Sequence, residues 1–412
     1  MLPDKITQLD VSIAGHHGAG QLLKTSNFEF RYVDASPTQP EVALLMPAAK
    51  KLTWGSGDLF PPMDQNLPEG DLYMRIRAMF PKQNTTAMHM LALIGENGIG
   101  RLGYRLPGAE PQEGAEPITK ERLLNTTYTN EVFDELVRAY LSTGAGIAGM
   151  QPKIMVPEVR TAIPVPTLIV KAGSPVYPGL AANEYLCLRA AKLAGIKTSE
   201  CDLSHDGQLL VLERFDTVIA ADGTIERLGF EDIAALAGLR VRDTLSNRKY
   251  EGSYQGIVKL LKALQMEQSA LTRLFAQVAF SIMVRNGDAH LKNFGVLYRS
   301  WNDKWLAPMF DVVTTSIYRY TQYAGGPELE DRTLALNLFS GKARSKAYPS
   351  VDELHLFGDK VCGVRNPDVI IKLIAEGMVK ALDEAKTDSR IDAKLLAHMR
   401  EAWEPGLAYA AT

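Results

Sequence analysis

The sequence is poor in cysteine and has no excess of basic residues. Its three cysteines, Cys187, Cys201 and Cys362, are an odd number at wide spacing, and none belongs to a C-x-x-C pair. This pattern argues against a disulfide framework or a zinc site and favours a reducing compartment. Lysine and arginine number 45 against 48 acidic residues, a net charge of -3. The chain as a whole is therefore not predicted to bind nucleic acid directly.

Long apolar runs are also missing. No stretch approaches the roughly 20 apolar residues that span a bilayer. The N-terminal MLPDKITQLDVS carries charges where a signal peptide has its apolar core. The sequence therefore predicts a cytoplasmic protein without membrane contact. At 412 residues, 46% hydrophobic and 23% charged, it is long enough for two or three folded domains.

The composition changes along the chain. The first hundred residues contain short strand-like runs, FEFRYVD and VALLM, broken by Gly and Pro. A stretch rich in Pro, Gly and Glu, Arg105 to Glu121, is typical of a solvated connector and predicts a domain boundary there. GHHGAG and GENGIGRLG do not open a helix within a βαβ unit, so we expect hairpin turns there and not nucleotide loops.

Beyond the connector, hydrophobic periodicity predicts short strands and then helices. The predicted elements are a helix over Phe133–Leu141 capped by Thr129 or Asn130, a strand TLIVK ending at Lys171, a helix LAANEYLCLRAAKL ended by Gly195, a turn at Asp206–Gly207, a strand over Gln208–Leu212, a helix whose apolar face holds Leu271, Leu274, Phe275, Val278 and Ile282, and a late helix PDVIIKLIAEGMVKALDEA.

The strongest candidate site is RNGDAHLKNFGVLY, where a helix runs into a cluster of polar residues and then into a strand-like run. Asp288 and Asn293 have the D-x-x-x-x-N spacing of a protein-kinase catalytic loop. Phosphoryl transfer needs a carboxylate to orient the attacking hydroxyl and an oxygen to hold Mg²⁺. Asp311 follows an apolar run, where a kinase carries the metal aspartate of its D-F-G motif. Here the run reads D-V-V, so that Phe and Gly are absent.

Upstream residues fit the same chemistry less specifically. Lys171 ends a predicted strand and Glu184 lies on the following helix, an arrangement that presents an ammonium group to phosphates. Alternatively, Glu184 is a first-turn acid that stabilises the helix dipole. The glycine-rich GAGIAGMQPKIMV could bring backbone N–H groups onto phosphates, but it is not the usual kinase loop. The order of these pieces along the chain favours a kinase.

Several motifs together resemble one family. GIAGMQPK, LIVK, NEYLCLRAAKLAGI, VLERFD, FEDIAALAG, NGDAHLKNF and PMFDVV are similar, in order and spacing, to the HipA-like serine/threonine kinases of bacterial toxin–antitoxin systems. The resemblance extends to the N-terminal part through FEFRYVD and ALLMP. It implies an α+β, two-lobed protein-kinase-like fold. The implied parts are a small β-rich N-terminal subdomain (1–120), a kinase N-lobe (121–215) and a mainly helical C-lobe (216–412).

The resemblance also implies roles for individual residues, with ATP and Mg²⁺ as cofactors. Asp288 is the implied catalytic aspartate, Asn293 and Asp311 are the implied Mg²⁺ ligands, and Lys171 is the implied contact to the ATP phosphates. The other implied nucleotide-binding residues are Glu213 and Phe215 at the hinge, Ala148, Gly149, Met150, Gln151 and Lys153 in the phosphate loop, and His290 and Lys292 in the catalytic loop.

The function implied by the resemblance is a toxin kinase that phosphorylates a cellular protein, in several relatives an aminoacyl-tRNA synthetase, and so arrests growth. Such kinases are usually held by a helix-turn-helix antitoxin, so contact with DNA is expected only through that partner. Two alternatives stay open. One is a kinase for a small metabolite, and the other is a non-catalytic kinase-fold module that partners a DNA-binding repressor.

One departure from the family concerns regulation. Well-known members carry serines in the phosphate loop, and autophosphorylation of such a serine switches the kinase off. Gly146 and Ala148 stand at those positions and have no hydroxyl. Because a phosphate charge of about -1.5 to -2 cannot be added there, we expect this off-switch to be missing. Ser142 and Thr143 are the nearest substitutes.

Overall fold

The structure is a computed structural model. It describes residues 3–34, 39–68, 73, 76–77, 85–95, 98–109, 119–129, 131–132, 136, 153–157, 166–173, 177–219, 224–239, 248–321, 328–341 and 345–411, with only the backbone for 153–157, 166 and 320–321. The chain divides into two compact units: the first joins Met1–Ala172, Val211–Thr244 and Val296–Lys304, and the second joins Gly173–Leu210, Leu245–Gly295 and Trp305–Thr412. The predicted boundaries at residues 120 and 215 stay predictions.

The N-terminal part of the first unit is a five-stranded antiparallel sheet in the order β4-β3-β2-β1-β5. Its strands are β1 Gln8–Ile13, β2 His16–Lys24, β3 Phe28–Tyr32, β4 Thr53–Ser56 and β5 Leu102–Arg105. Ile13 pairs with His16 across a two-residue turn in which Ala14 and Gly15 have φ of 51° and 82°. These positive values are those of a tight hairpin. The strand-rich start and the hairpin at GHHGAG are thus confirmed.

Among the described residues, three helices follow or interrupt the strands of this sheet along the chain: α1 Pro61–Asp64, α2 Ala87–Ile94 and α3 Lys120–Asn125. GENGIGRLG lies between α2 and β5, because Gly95 caps the helix and the strand begins at Leu102. The prediction of a hairpin at this segment is therefore wrong: the segment connects a helix to a strand.

VALLM is buried apart from the exposed Leu45, and it forms bends and turns where a strand is predicted. Side chains satisfy two of its backbone N–H groups, and the Met46 N–H donates to the Ala43 carbonyl at 3.1 Å and not to a neighbouring strand. The Val42 N–H donates to the Tyr32 hydroxyl and the Leu44 N–H donates to the Glu231 carboxylate, both at 2.7 Å. Since buried N–H groups need partners of some kind, these two side chains remove the requirement for a strand ladder. The strand prediction for VALLM is wrong for this reason.

The remaining described strands form smaller sheets. The four-stranded sheet has the order β6-β7-β9-β8, the three-stranded sheet has the order β12-β13-β14, and two hairpins pair β10 with β11 and β15 with β16. Their bounds are β6 Lys153–Pro157, β7 Pro166–Ala172, β8 Cys201–Leu203, β9 Leu209–Glu213, β10 Thr217–Ile219, β11 Ile225–Arg227, β12 Gly229–Asp232, β13 Gly295–Tyr298, β14 Lys304–Leu306, β15 Arg319–Thr321 and β16 Glu328–Glu330. The predicted strands TLIVK, Gln208–Leu212 and FGVLY correspond to β7, β9 and β13.

The later helices lie mostly in the second unit. They are α4 Leu180–Leu193, α5 Ile233–Leu236, α6 Tyr254–Ala263, α7 Gln268–Met283, α8 Val351–Leu356, α9 Pro367–Ala385 and α10 Ala393–Leu407. The predicted apolar face of α7 is buried, with Leu274, Phe275 and Val278 fully enclosed, and α7 packs against α9 and α10. Gly195 has a φ of 79° one residue beyond the cap of α4, the left-handed conformation that commonly ends a helix.

A glycine sets the closest approach between two of these helices. A Cβ at Gly377 of α9 would lie 2.6 Å from the carbonyl oxygen of Ala190 in α4. No larger residue fits without separating the helices, so this contact depends on the missing side chain.

The helical prediction for the second half of the chain is confirmed for α7 and α9, and the fold is a mixture of helix and strand.

Candidate active site

The segment with the D-x-x-x-x-N pattern begins where α7 ends. Arg285 follows the helix in the left-handed region, with a φ of 57°, and its guanidinium lies 4.4 Å from the centre of the Tyr348 ring. The Asn286 N–H donates to the Ser281 carbonyl at 2.8 Å, closing a helix C-terminal turn. A left-handed conformation costs a residue other than glycine about 1 to 2 kcal/mol. The stacked ring and the capping hydrogen bond offset that cost.

Gly287 lets the next part of the segment pass close to a neighbour. A Cβ at this position would lie 2.1 Å from Asp331 Oδ2 and 2.7 Å from the Thr333 carbonyl oxygen. The Gly287 N–H donates to Thr315 Oγ1 at 2.8 Å. The glycine in RNGDAH is therefore needed because there is no space for a side chain.

Asp288 is held through both its main chain and its side chain. Its N–H donates to Asn286 Oδ1 at 3.0 Å, and its Oδ1 accepts a hydrogen bond from the Tyr250 hydroxyl at 2.6 Å. His290 Nε2 lies 3.9 Å from the same carboxylate oxygen. The Asp288 side chain is nevertheless 44% exposed to solvent.

Asn293 joins Asp288 to Asp311. Its Nδ2 donates to the Asp288 carbonyl at 2.9 Å and to the Asp311 carbonyl at 3.2 Å. Both partners are acceptors, so the amide nitrogen must face them and the amide oxygen must point elsewhere. The side chain is 7% exposed. The structure thus brings Asp288, Asn293 and Asp311 together, as the spacing in the sequence predicts.

Asp311 has the left-handed conformation, with a φ of 55°. Aspartate tolerates this region better than most residues, and residues held there cluster at functional sites. The two valines that replace the D-F-G phenylalanine and glycine are buried, with Val312 fully enclosed. They anchor the segment in the core of the second unit, so Asp311 is presented from a fixed backbone.

Buried polar side chains fix the residues after Asp311. The Thr314 N–H donates to Asn183 Oδ1 at 2.9 Å, and Asn183 Nδ2 donates back to the Thr314 carbonyl at 3.0 Å. The Trp403 indole N–H donates to Thr314 Oγ1 at 2.7 Å. Sequence reasoning missed this group. Its signal is an asparagine inside the apolar helix α4, at a position where exposure is zero.

His290 is buried beside Asp288. Burial, and next the charge of Lys249, hold the pKa of His290 well below its usual range, so its ring is neutral at pH 7. The ring lies edge-on to Tyr250, with 5.1 Å between ring centres. Lys292 follows in the 3-10 turn Leu291–Asn293, where it is half-buried. Both residues lie in the segment with the D-x-x-x-x-N pattern, and their predicted contact with nucleotide stays a prediction.

Glu184 is 1% exposed and lies in the second turn of α4, whose first turn has no acidic residue. The alternative reading of Glu184 as a first-turn acid is therefore wrong.

A cap for the helix predicted after the connector is supported by Thr129, whose hydroxyl accepts from the Val132 N–H at 3.2 Å.

The other predicted nucleotide residues with described side chains lie in the first unit. Lys171 is in β7 and is 4% exposed. Glu213 ends β9 and lies 3.4 Å from the Lys120 ammonium group. Phe215 packs against Phe230 with 5.5 Å between ring centres. Their predicted roles stay predictions.

The predicted phosphate-loop residues Ala148, Gly149, Met150 and Gln151 lie outside the described residues. Lys153 is the first residue of β6, and its backbone is in register with Lys171 of β7. In the described part of the chain, no group of three or more His, Cys, Asp or Glu side chains is arranged to hold a metal ion. No helix among the described residues is long and apolar enough to cross a membrane.

Family models match both parts of the chain. The HipA-like C-terminal domain matches residues 145–385 and the HipA N-terminal domain matches residues 9–105. This chain belongs to the HipA family. A solved structure of the Shewanella oneidensis HipA–HipB–operator DNA complex contains a chain with a TM-score of 0.71 to this one, at 19% sequence identity, covering 98% of this chain and 96% of that one. The HipA-type kinase-like fold is thereby confirmed.

Curated relatives of this HipA-family chain are named as kinases. Y4mE of Sinorhizobium fredii, named as a candidate kinase, is 27% identical over 336 residues, 76% of each chain. The serine/threonine-protein kinase toxin HipA of Shewanella oneidensis is 26% identical over 269 residues, 58% of each chain. The chain is therefore a kinase-like member of the HipA family.

Proposed function

We propose that this chain is a serine/threonine protein kinase that transfers the γ-phosphoryl group of Mg–ATP to a hydroxyl group of a cellular protein. The observation that carries the proposal is the amide of Asn293, which hydrogen-bonds to the main chains of Asp288 and Asp311. One residue thereby ties a carboxylate able to orient a hydroxyl to a carboxylate able to hold a metal. Phosphoryl transfer depends on that combination.

The oxygen ligands that this site offers suit a Mg²⁺ ion whose remaining ligands come from a bound substrate and water. Mg²⁺ is usually bound by one or two protein oxygens, with phosphates and water supplying the rest of its octahedral shell. The amide oxygen of Asn293 and the carboxylate of Asp311 supply that number of hard oxygen ligands. A larger acidic cluster, which a dedicated metal cage would need, is lacking among the described residues. When bound, Mg–ATP supplies the phosphoryl group and a cation that offsets its charge.

The chain's own residues would then act on the acceptor. The exposed Asp288 carboxylate accepts a hydrogen bond from the incoming hydroxyl and aims its oxygen at the phosphorus. As the new bond to phosphorus forms and the bond between the γ-phosphorus and the leaving ADP breaks, Asp288 takes the hydroxyl proton. The neutral ring of His290 adds no positive charge beside this carboxylate. Lys171, Glu213, Phe215 and Lys153 keep their predicted nucleotide roles in this proposal.

The expected partner is a small helix-turn-helix antitoxin that binds DNA. The structural neighbour from Shewanella oneidensis is a HipA in complex with HipB and operator DNA, which supports a partner of the same kind here. In this proposal the chain acts in the cytoplasm, inhibits growth when the partner is absent, and meets DNA only through the partner. An aminoacyl-tRNA synthetase is the target class that the family suggests.

Incubation of the purified chain with γ-labelled ATP, Mg²⁺ and a cell lysate tests the proposal. We expect a labelled protein band with wild type and with Asp303→Asn, an exposed aspartate that pairs with Arg299, but not with Asp288→Asn. A labelled small molecule would instead identify a metabolite kinase. No label in either fraction, together with growth arrest that persists in Asp288→Asn, would favour the non-catalytic binding module.

Regulation is tested in the same reaction. Peptide mass spectrometry after incubation with Mg–ATP is expected to find no phosphate between Gly146 and Lys153, because the loop has no hydroxyl there. Phosphate on Ser142 or Thr143 would show that a switch lies upstream of the loop.

A further inference from the structure

A threonine that the mechanism above does not use links the chain before Asp288 to the chain after Asp311. The Thr315 hydroxyl accepts a hydrogen bond from the Gly287 N–H at 2.8 Å and donates one to the Arg285 carbonyl at 3.2 Å. The Thr315 N–H donates to the same carbonyl at 3.1 Å. A single residue therefore makes three hydrogen bonds to the main chain just before Asp288.

Three consecutive N–H groups lead into the carboxylate-bearing residue, and Thr315 satisfies the middle one. The Asn286 N–H donates back to the Ser281 carbonyl in α7, and the Asp288 N–H donates to the Asn286 side chain. Those two hydrogen bonds shape the segment locally and do not link it to a distant part of the chain. The hydrogen bond from Gly287 to Thr315 does, because it spans 28 residues of sequence.

Thr315 follows a residue that is itself fixed in place. Thr314 is fully buried. It exchanges two main-chain hydrogen bonds with the Asn183 side chain of α4, and its hydroxyl accepts from the Trp403 indole of α10. Two helices of the second unit therefore hold the chain that follows Asp311. Thr315 extends this support to the neighbouring segment.

Two links between the segments constrain them more than one link does. Asn293 supplies the first, since its amide donates to the carbonyls of Asp288 and Asp311. A single link leaves two segments able to turn about it, whereas a second link at another point prevents that rotation. The rate of phosphoryl transfer depends on the alignment of the acceptor hydroxyl with the phosphoryl group. Groups that hold these two reactants must therefore keep a fixed relative position.

We infer that Thr315 is a positioning residue for phosphoryl transfer: its hydroxyl fixes the position of Asp288 relative to Asp311. The inference rests on the proposed function, because that function assigns one aspartate to the acceptor hydroxyl and the other to the metal. The hydroxyl carries the role and the methyl group does not, since the hydroxyl makes the contacts to Gly287 and Arg285.

Thr315→Val removes the hydroxyl and keeps the shape of the side chain. At saturating Mg–ATP we expect the rate of label transfer to the lysate protein to fall by about 10- to 100-fold, the loss that a displacement of about 1 Å can cause. The Kd for Mg–ATP should stay close to wild type, because Asn293 still links to Asp311. Rates are compared per molecule that binds Mg–ATP, since a loss of folded protein would lower binding capacity as well.

Thr315→Ser keeps the hydroxyl and loses the methyl group, so it should transfer label at close to the wild-type rate. Thr272→Val is the control for the substitution itself. The Thr272 hydroxyl also donates to a main-chain carbonyl, that of Gln268 at 3.2 Å, but it does so within α7, and this variant should keep the wild-type rate. A serine variant as slow as Thr315→Val, or a valine variant as fast as wild type, would overturn the inference.

Hydrogen exchange of the Gly287 amide does not need activity. Labelling of asparagine carbonyls with carbon-13 and glycine amides with nitrogen-15 selects only Asn97–Gly98 and Asn286–Gly287, and Asn97→Ser removes the first of these NMR signals. A hydrogen-bonded amide exchanges only when its bond opens. We therefore expect the Gly287 amide to exchange about 10-fold faster in Thr315→Val than in wild type or Thr315→Ser, with Gly98 unchanged.

The two measurements separate the inference from the function on which it rests. Unchanged exchange of the Gly287 amide in Thr315→Val would overturn the inference, because the hydroxyl would not be holding that amide. If wild type fails to transfer phosphate while the Gly287 amide exchanges faster in Thr315→Val, the result counts against the proposed function, and the link that Thr315 makes is still established.

Discussion

Asp288 in the second unit and Asp216 in the first are both held by strong donors, yet their surroundings differ. Asp216 is 1% exposed, and its two oxygens accept from the Arg214 guanidinium and from the Gly100 N–H, which lies at 2.6 Å. Asp288 accepts from an uncharged phenol and is 44% exposed. Asp216 is thus enclosed by its donors, whereas Asp288 is oriented by a donor and remains accessible to solvent.

The difference shows how the same residue type serves structure or chemistry. Burial alone would raise the pKa of Asp216, but Arg214, together with Arg227 and the Gly100 N–H, outweighs it, and the pKa lies below its usual range. The pair therefore ties the segment after β9 to the turn at Gly98–Gly100, to which Arg214 also donates. A substrate has no access there. At Asp288 the chain supplies orientation and leaves the charge available to a ligand.

The largest effect is expected from Asp288→Asn. The amide keeps the shape of the side chain but cannot take a proton, so phosphoryl transfer should fall by about 10³-fold or more. Nucleotide binding and thermal unfolding should stay close to wild type, because an exposed side chain in a loop contributes little to stability. A radiometric transfer assay beside a melting curve measures both. A wild-type rate would remove Asp288 from the mechanism.

The reverse pattern is expected from Asp216→Ala. Removal of one partner leaves Arg214 buried without its counter-charge, which destabilises by about 3–5 kcal/mol. Glu384→Gln is the control, since its ion pair with Arg189 is exposed and such pairs contribute about 0.2–1 kcal/mol. Urea denaturation gives both values. If Asp216→Ala were as stable as the control, the buried pair would not be a structural tie.

Glu231 shows a third environment, a carboxyl buried without a dominant cation. Burial raises the pKa of Glu231 to about 7 from 4.5. Because the pKa of Glu231 is higher in the folded state than in the unfolded state, this residue contributes stability that is fully present below pH 4.5. That contribution is lost as the pH rises to about 7. The loss should amount to about 3 kcal/mol between pH 4.5 and pH 7. Glu231→Gln, which keeps an acceptor for the Leu44 N–H, should remove this slope from the unfolding free energy; an unchanged slope would contradict the account.

The smallest effect is expected on nucleotide affinity. Asn293→Ala and Asp311→Ala each remove one hard oxygen ligand, so Mg–ATP should bind about 10- to 100-fold more weakly. Calorimetric titration with and without Mg²⁺ tests this, because binding without the metal should change little. Asn337→Ala is the control: its amide also donates to a carbonyl, that of Gly252 at 3.1 Å. If all three variants bind alike, the metal site is not at these residues.

The sequence predicted the fold class and that Asp288, Asn293 and Asp311 lie close together. Strongly periodic helices such as α7 formed where expected, because their apolar spacing leaves few alternatives. VALLM did not form a strand, since the side chains of Tyr32 and Glu231, 10 and 187 residues away in sequence, satisfy two of its backbone N–H groups. Tyr250, Asn183 and Trp403 were missed for the same reason. Each acts through a contact that spans 38 to 131 residues of sequence, and local spacing does not reveal which distant residue a side chain contacts.

A crystal structure with Mg²⁺ and a non-hydrolysable ATP analogue tests the central claim most directly. The account predicts one Mg²⁺ held by the amide oxygen of Asn293 and the carboxylate of Asp311 at about 2.0–2.1 Å, with the Asp288 carboxylate facing the terminal phosphate. Asn293 should keep both hydrogen bonds to the main chains of Asp288 and Asp311. A nucleotide bound away from these three residues, or a metal held by other side chains, would contradict the claim that this loop is the site of phosphoryl transfer.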